Sequence, residues 1–152
     1  MGKQEEMSVL SNEFIEFLSG EKLVLLTTID REHNVPNCSA ISWVTCIDEK
    51  TIRFAVSANS RMVSNIRMNP NIVFTIIGLG SVYSIHAKAS IVEEVMEGVS
   101  LKLTKIEAVV ETIFNSMFWG ARISTEPAYE KTYNVEKAKK LDEEVYAALL
   151  KS

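Results

Sequence analysis

The spacing of apolar and polar positions changes period several times along the chain, and each change marks an element. Between Met7 and Leu18, the residues Val9, Leu10, Phe14, Ile15, Phe17 and Leu18 gather on one helical side, with Glu13 and Glu16 on the other. That predicts an amphipathic helix, capped by Ser8 or Ser11 and ended by Gly20. The period then shortens. Leu23 to Ile29 is a β-rich run that stops at the polar turn Asp30–Asn34. Val35 to Ile47 reads as one long second strand, with Pro36 near its start, where a missing N–H is tolerated. Asp48–Lys50 turns the chain into a third strand, Thr51 to Ser57. Three such runs with tight polar connections predict an antiparallel meander.

A short helix, Ser60 to Met68, follows and is stopped at Asn69-Pro70, because the residue before a proline is pushed out of the helical region. Asn71 to Ile77 and Ser81 to Val92 flank Gly78-Leu79-Gly80 as a strand hairpin. Leu101 to Ile113 is ambiguous in period. Its Val, Ile and Thr content favours a strand, although a helix also fits. A loop through Phe118–Arg122 and Pro127 leads to a last helix, Val135 to Leu150, with Ala138, Leu141, Val145, Ala148 and Leu149 on its apolar side. The predicted class is mainly β: a six-stranded antiparallel barrel with a short inserted helix and helices at both ends. Closure suits strands this apolar because it removes exposed edges. A single domain accounts for residues 1–152, as a helix (1–20), a barrel (21–115) and a loop with a final helix (116–152).

Composition narrows the functions. At 152 residues the chain is long enough to bury roughly 70% of its surface. The net charge is −4 and no Lys/Arg cluster tracks a nucleic-acid backbone, which argues against DNA or RNA as a partner. Cys38 and Cys46 have no CxxC spacing and cannot assemble a zinc site with His33 and His86; they read as reduced, semi-buried strand thiols of a cytoplasmic protein. The polar start, Met1 to Glu6, lacks the apolar stretch of a signal peptide, and no run approaches the roughly 18 apolar residues of a membrane span. No Ser-His-Asp order or carboxylate pair stands out, so hydrolase chemistry is unsupported and no catalytic residue is nominated.

Charge patterning singles out one segment. From Thr51 to Val92 there is no Asp or Glu, and at its centre a strand, a polar turn and a helix opened by Ser60-Arg61 follow one another. A helix N-terminus offers free N–H groups and a positive dipole end to an anion. Arg61 adds a planar cation, and Ser60, Ser64 and Asn65 are further donors. An ordinary capped helix with a solvated arginine is the plainer alternative. Trp43 alternates with Ile41, which suggests core packing; Trp119, beside Phe118 and Gly120, suits a stacking contact or an interface, with plain core packing as the alternative. His86 reads as a core or interface side chain, and His33 as a solvated turn residue.

The ordered string Leu25–Asp30, Val35-Pro36, Ser39–Trp43, Ile52–Val56, Ser60-Arg61 and Asn69-Pro70 resembles the pyridoxamine 5′-phosphate oxidase-like family of split β-barrel flavoproteins. The later Asn115–Arg122 resembles that family's short, general-stress-protein-like members. The resemblance implies FMN held between the subunits of a homodimer. It places Ser39, Ala40, Ile41 and Ser42 along the flavin, Val56 and Ser57 along its ribityl chain, and Ser60 and Arg61 at the phosphate, where Asn65 is one of the further donors already noted. Met62 stands where the family often has lysine, which removes one expected cation. Trp119 is implied as a ring or seam contact, and Tyr83 as a weaker one. The implied activity is oxidoreduction between a reduced small molecule or nicotinamide donor and an acceptor. Alternatives on the same scaffold are a non-catalytic flavin or stress protein, and a barrel with haem, a deazaflavin or no cofactor. True pyridoxamine phosphate oxidase activity is not expected, because Val135–Ser152 contains no arginine or histidine to bind that substrate's phosphate.

Overall fold

The computed structural model describes residues 6–151; the polar residues 1–5 and residue 152 lie outside it. The described residues form eight strands and three helices. In chain order these are β1 (Glu6–Met7), α1 (Asn12–Phe17), β2 (Val24–Ile29), β3 (Pro36–Ile41), β4 (Val44–Cys46), β5 (Thr51–Ser57), α2 (Arg61–Met68), β6 (Asn71–Gly78), β7 (Ser81–Glu93), β8 (Leu103–Asn115) and α3 (Val135–Leu150). All pairings are antiparallel, in the sheet order β3-β2-β6-β7-β8-β5-β4, with β1 added to β8.

The two ends of that order are consecutive in the chain. The expected long second strand is broken at Ser42-Trp43: its first half pairs with β2 and its second with β5. The chain turns there because Val44 N donates to Ser42 O at 3.0 Å, while Trp43 leaves the strand's alternation and packs outward against α3. The sheet is therefore a split barrel, curled until its two edges are halves of one bent strand. Counting β3 and β4 together recovers the six principal strands expected from the sequence. Leu101 to Ile113 resolves as strand β8, and Gly78-Leu79-Gly80 as a tight hairpin in which Leu79 and Gly80 have φ of 54° and 77°.

Alternation packs the interior. Val24, Leu26 and Thr28 of β2 point inward with Ile72, Phe74 and Ile76 of β6 and Ile85 of β7. Phe54 and Phe74 meet edge to face at 5.4 Å in the centre. The first helix is shorter than the apolar pattern suggests. Met7 is drawn into β1 opposite Ile113, and Leu10 N is held by Glu49 O, so helix begins only after the Ser11 cap. It still delivers Leu10, Phe14 and Leu18 to the barrel core. A second, smaller core lies outside the barrel, where Val145, Ala148 and Leu149 of α3 cover Ala55 and Trp43.

Truncating the central ring pair should therefore be costly. Phe54→Ala is expected to lower unfolding stability by about 3–5 kcal/mol in urea titrations. Val109→Ala, half exposed on the outer face of β8, should change it by less than about 0.5 kcal/mol.

Candidate functional site

Because the strand breaks, β3 ends as a free edge and the last residues of β5, from Ala55 to Ser57, run past the end of β4. The gap between them is a cleft of about 250 Å³ lined by Ala40, Ile41, Ser42 and Trp43 on one side and Ala55, Val56, Ser57 and Met62 on the other. An edge strand presents unpaired N–H and C=O groups, so such a seam suits a flat molecule with polar groups on its rim. A second cavity of about 210 Å³ lies at the start of α2, lined by Arg31, Glu32, Asn59, Ser60, Arg61 and Ser64. The two share the β5–α2 junction: Met62 borders one, and Ser60 and Arg61 border the other.

Ser60 caps α2, its hydroxyl accepting from Val63 N, and Ser60 N returns to Ser57 O at 2.9 Å. Arg61 is not alone. Its Nη1 donates to Asp30 Oδ2 at 3.0 Å, while the other carboxylate oxygen accepts from Glu32 N and His33 N. The His33 and Glu32 amides, then Arg61, hold the Asp30 carboxyl below its ordinary value of 3.8. The acid-free segment thus receives a carboxylate from the β2–β3 turn, which reading along the chain did not reveal. Arg61 keeps Nε and Nη2 for a ligand and is more than half exposed.

The structure separates the nominated residues. Ala40, Ile41, Ser42, Val56, Ser57 and Met62 converge on the seam, and Ser60 and Arg61 on the helix start. Ser39 is half-buried opposite Leu26, on the strand face turned to the barrel interior, and does not line the cleft. Asn65 is fully buried and its amide is spent: the oxygen accepts from Arg31 N, and the nitrogen donates to Thr28 Oγ1 and Asn37 Oδ1. It pins α2 to the β2–β3 hairpin rather than facing the cavity. Trp119 is 81% exposed on the loop after β8, away from both cavities of its own chain. Tyr83 stacks edge-on against Phe14, and His86 points outward against Phe114. Cys38 is exposed and Cys46 buried, so neither thiol is semi-buried; burial pushes Cys46 up to about 12. The sequence did not single out Asp30, Ala55 or Arg31, and only the hairpin's return beside α2 brings Asp30 and Arg31 to the helix start.

A roomier cavity, about 430 Å³, is a different place. It lies between the barrel and the end of α3, where Arg53–Glu107 and Lys105–Glu93 face each other across paired strands. Arg53 and Lys105 donate to the terminal carbonyls Leu149 O and Lys151 O. Arg53 and Lys105 are thus already engaged in seating the helix end.

A split barrel with a seam cleft beside a helix-start cavity defines the structural class. The chain belongs to the pyridoxamine 5′-phosphate oxidase family, which matches residues 10–148. None of the curated proteins matches it in sequence. Among solved structures, it is similar to a protein from Lactobacillus delbrueckii assigned as a pyridoxamine 5′-phosphate oxidase (15% identity, 74% of this chain and 99% of that one, TM-score 0.62). It also resembles general stress protein 26 from Bacillus anthracis (13%, 68% and 92%, 0.53) and the haem storage protein HutZ from Vibrio cholerae (17%, 71% and 96%, 0.53). At these identities the likeness shows the fold alone. No helix of the described residues is long and apolar enough to cross a membrane.

The Asp30 carboxylate gives a pH test. Its lowered value means that its stabilisation is complete above the ordinary carboxylate range and is lost as pH falls through the folded-state value. Wild type should exceed Asp30→Asn in thermal stability at neutral pH, and the gap should close on acidification below the ordinary value of 3.8.

Proposed function

We propose that the protein is an FMN-binding flavoprotein that works as an oxidoreductase, with the ring in the seam cleft and the phosphate at the start of α2. The observation that supports this most is the adjacency of the two cavities. An apolar, strand-edged slot meets a helix N-terminus that carries Ser60, Ser64 and a half-free Arg61. The donor set fits a phosphate, with Asp30 fixing Arg61 by one nitrogen and leaving the others. Asp30 and Glu32 offset much of the positive charge, so binding leans on directed hydrogen bonds and the helix dipole more than on net charge. When bound, FMN would supply hydride and electron transfer; the chain's residues hold it, orient it and shield it from water. In particular, Met62 offers a flexible thioether wall to the slot in place of the cation often found there.

A homodimer is part of the proposal. Two rows across five strands, Ala40–Leu25–Thr75–Ser84–Phe114 and Cys38–Thr27–Val73–His86–Thr112, face outward and carry no acidic, lysine or arginine side chain. An uncharged sheet face of that extent beside the cleft suits a second copy. The exposed Phe118 and Trp119 suit insertion at that seam. A cytoplasmic setting and a small-molecule or nicotinamide electron donor belong to the same proposal. The second reading, a barrel with a changed cofactor such as haem or a deazaflavin, draws on the two acids at the helix start and on Met62.

Purified protein should be yellow or take up FMN, and reduction by NADH or NADPH would separate an oxidoreductase from a flavin carrier. Arg61→Ala should weaken FMN about 10- to 100-fold, the worth of a charge-assisted hydrogen bond. An unchanged affinity would contradict the phosphate assignment, and colourless protein indifferent to FMN would defeat the flavin reading. Sedimentation should show a dimer that Val73→Lys shifts toward monomer.

A further inference from the structure

Outside the barrel, five side chains from three separate segments converge behind the Ser42-Trp43 bend. Glu21, just before β2, accepts from Tyr129 Oη at 2.7 Å and pairs with Lys131 Nζ at 2.8 Å. Lys131 reaches on to Asp142 Oδ2 at 3.2 Å, and Asp142 Oδ1 accepts from the Trp43 indole N–H at 2.7 Å. From the same face of α3, Tyr146 Oη donates to Ser42 O at 2.6 Å, and the Tyr129 phenol lies against the Ser42 side chain. The bend is thus held at the carbonyl of Ser42 and the indole of Trp43, both in residues that line the cleft on its other side.

The cluster is balanced so that it stays assembled. The Lys131 and Tyr129 hydrogen bonds keep Glu21 below its ordinary value, which leaves it an ionised acceptor. Burial and donation to Glu21 push Tyr129 up to about 12, so its proton stays in place. Burial opposes the charge on Lys131, but its bonds to Glu21 and Asp142 outweigh that and hold it above its ordinary value. The stretch from Tyr129 to Lys131 has no regular structure of its own, so these side-chain bonds seat it.

We propose that Asp142 and Tyr146 of α3 are positioning residues for the ring cleft: through Trp43 and Ser42 they set the place of the bend, and with it the width of the seam. The inference rests on the reading of the seam as the flavin seat. Neither residue lines the cleft, so each acts on a ligand only through the bend. A slot closed on a flat ring loses contact along its whole length when one wall shifts, which makes affinity sensitive to support behind that wall.

The test is FMN titration of the full-length protein, followed by flavin and tryptophan fluorescence, with Tm recorded in parallel. Asp142→Ala should weaken FMN at least about fivefold and shift tryptophan emission, by the sensitivity of bound geometry to small displacements. Asp142→Asn, which keeps an acceptor oxygen for the indole, should recover affinity to within about twofold of wild type. Tyr146→Phe removes one hydroxyl and should weaken FMN in the same direction, and it carries the test if Asp142→Ala fails to fold. Ile113→Ala, buried on β8 away from the cleft, should lower Tm while leaving FMN affinity unchanged. Wild-type affinity in both α3 variants would overturn the proposal, as would an equal loss in Ile113→Ala, which would reduce the effect to general destabilisation. A wild type that takes up no FMN would instead remove the reading of the seam beneath it.

Discussion

The whole arrangement depends on one strand that cannot stay straight. Residues 36–46 must pair with β2 at one end of the sheet order and with β5 at the other. A single continuous strand would have to sit between the two along its full length, sealing the barrel and leaving no gap. Breaking at Ser42-Trp43 satisfies both pairings, curls the sheet and opens a seam in which strand edges are unsatisfied by neighbours. The cleft is a direct result of closing the sheet with a bent strand, and the break itself is stabilised from outside by α3.

The bend also explains what was legible in the sequence. Periodicity and turn chemistry placed β2, β5, β6, β7, α2 and α3 nearly to the residue, because each has a local cause: alternation, Asn69-Pro70, the Leu79-Gly80 hairpin. The break was not legible, since no glycine, proline or charged turn marks Ser42-Trp43 and the contacts that end β3, from Tyr146 and Asp142, lie about a hundred residues away. For the same reason neither face of β3 lines the site by itself. The cleft runs along an edge, so Ala40 and Ile41, on opposite faces, both border it.

The candidate anion site was legible in its local parts and not in its electrostatics. Ser60, Arg61 and the helix start follow from seventeen consecutive residues, 54–70, but Asp30 arrives from a turn some thirty residues earlier. Asn65 shows the converse. Its side chain suits a ligand donor on paper, yet the hairpin that brings Asp30 also consumes every polar group of that amide. One buried side chain thereby holds the β2–β3 turn, Arg31 and α2 in a single register, and so sets where Arg61 stands.

If a flavin sits in the seam and at the helix start together, amide hydrogen exchange with and without FMN should register both places at once. Exchange should slow at residues 40–44 and 55–64, with the amides around Lys105 and Lys151 unchanged. Protection confined to the larger cavity at the end of α3, or no protection anywhere, would contradict that placement.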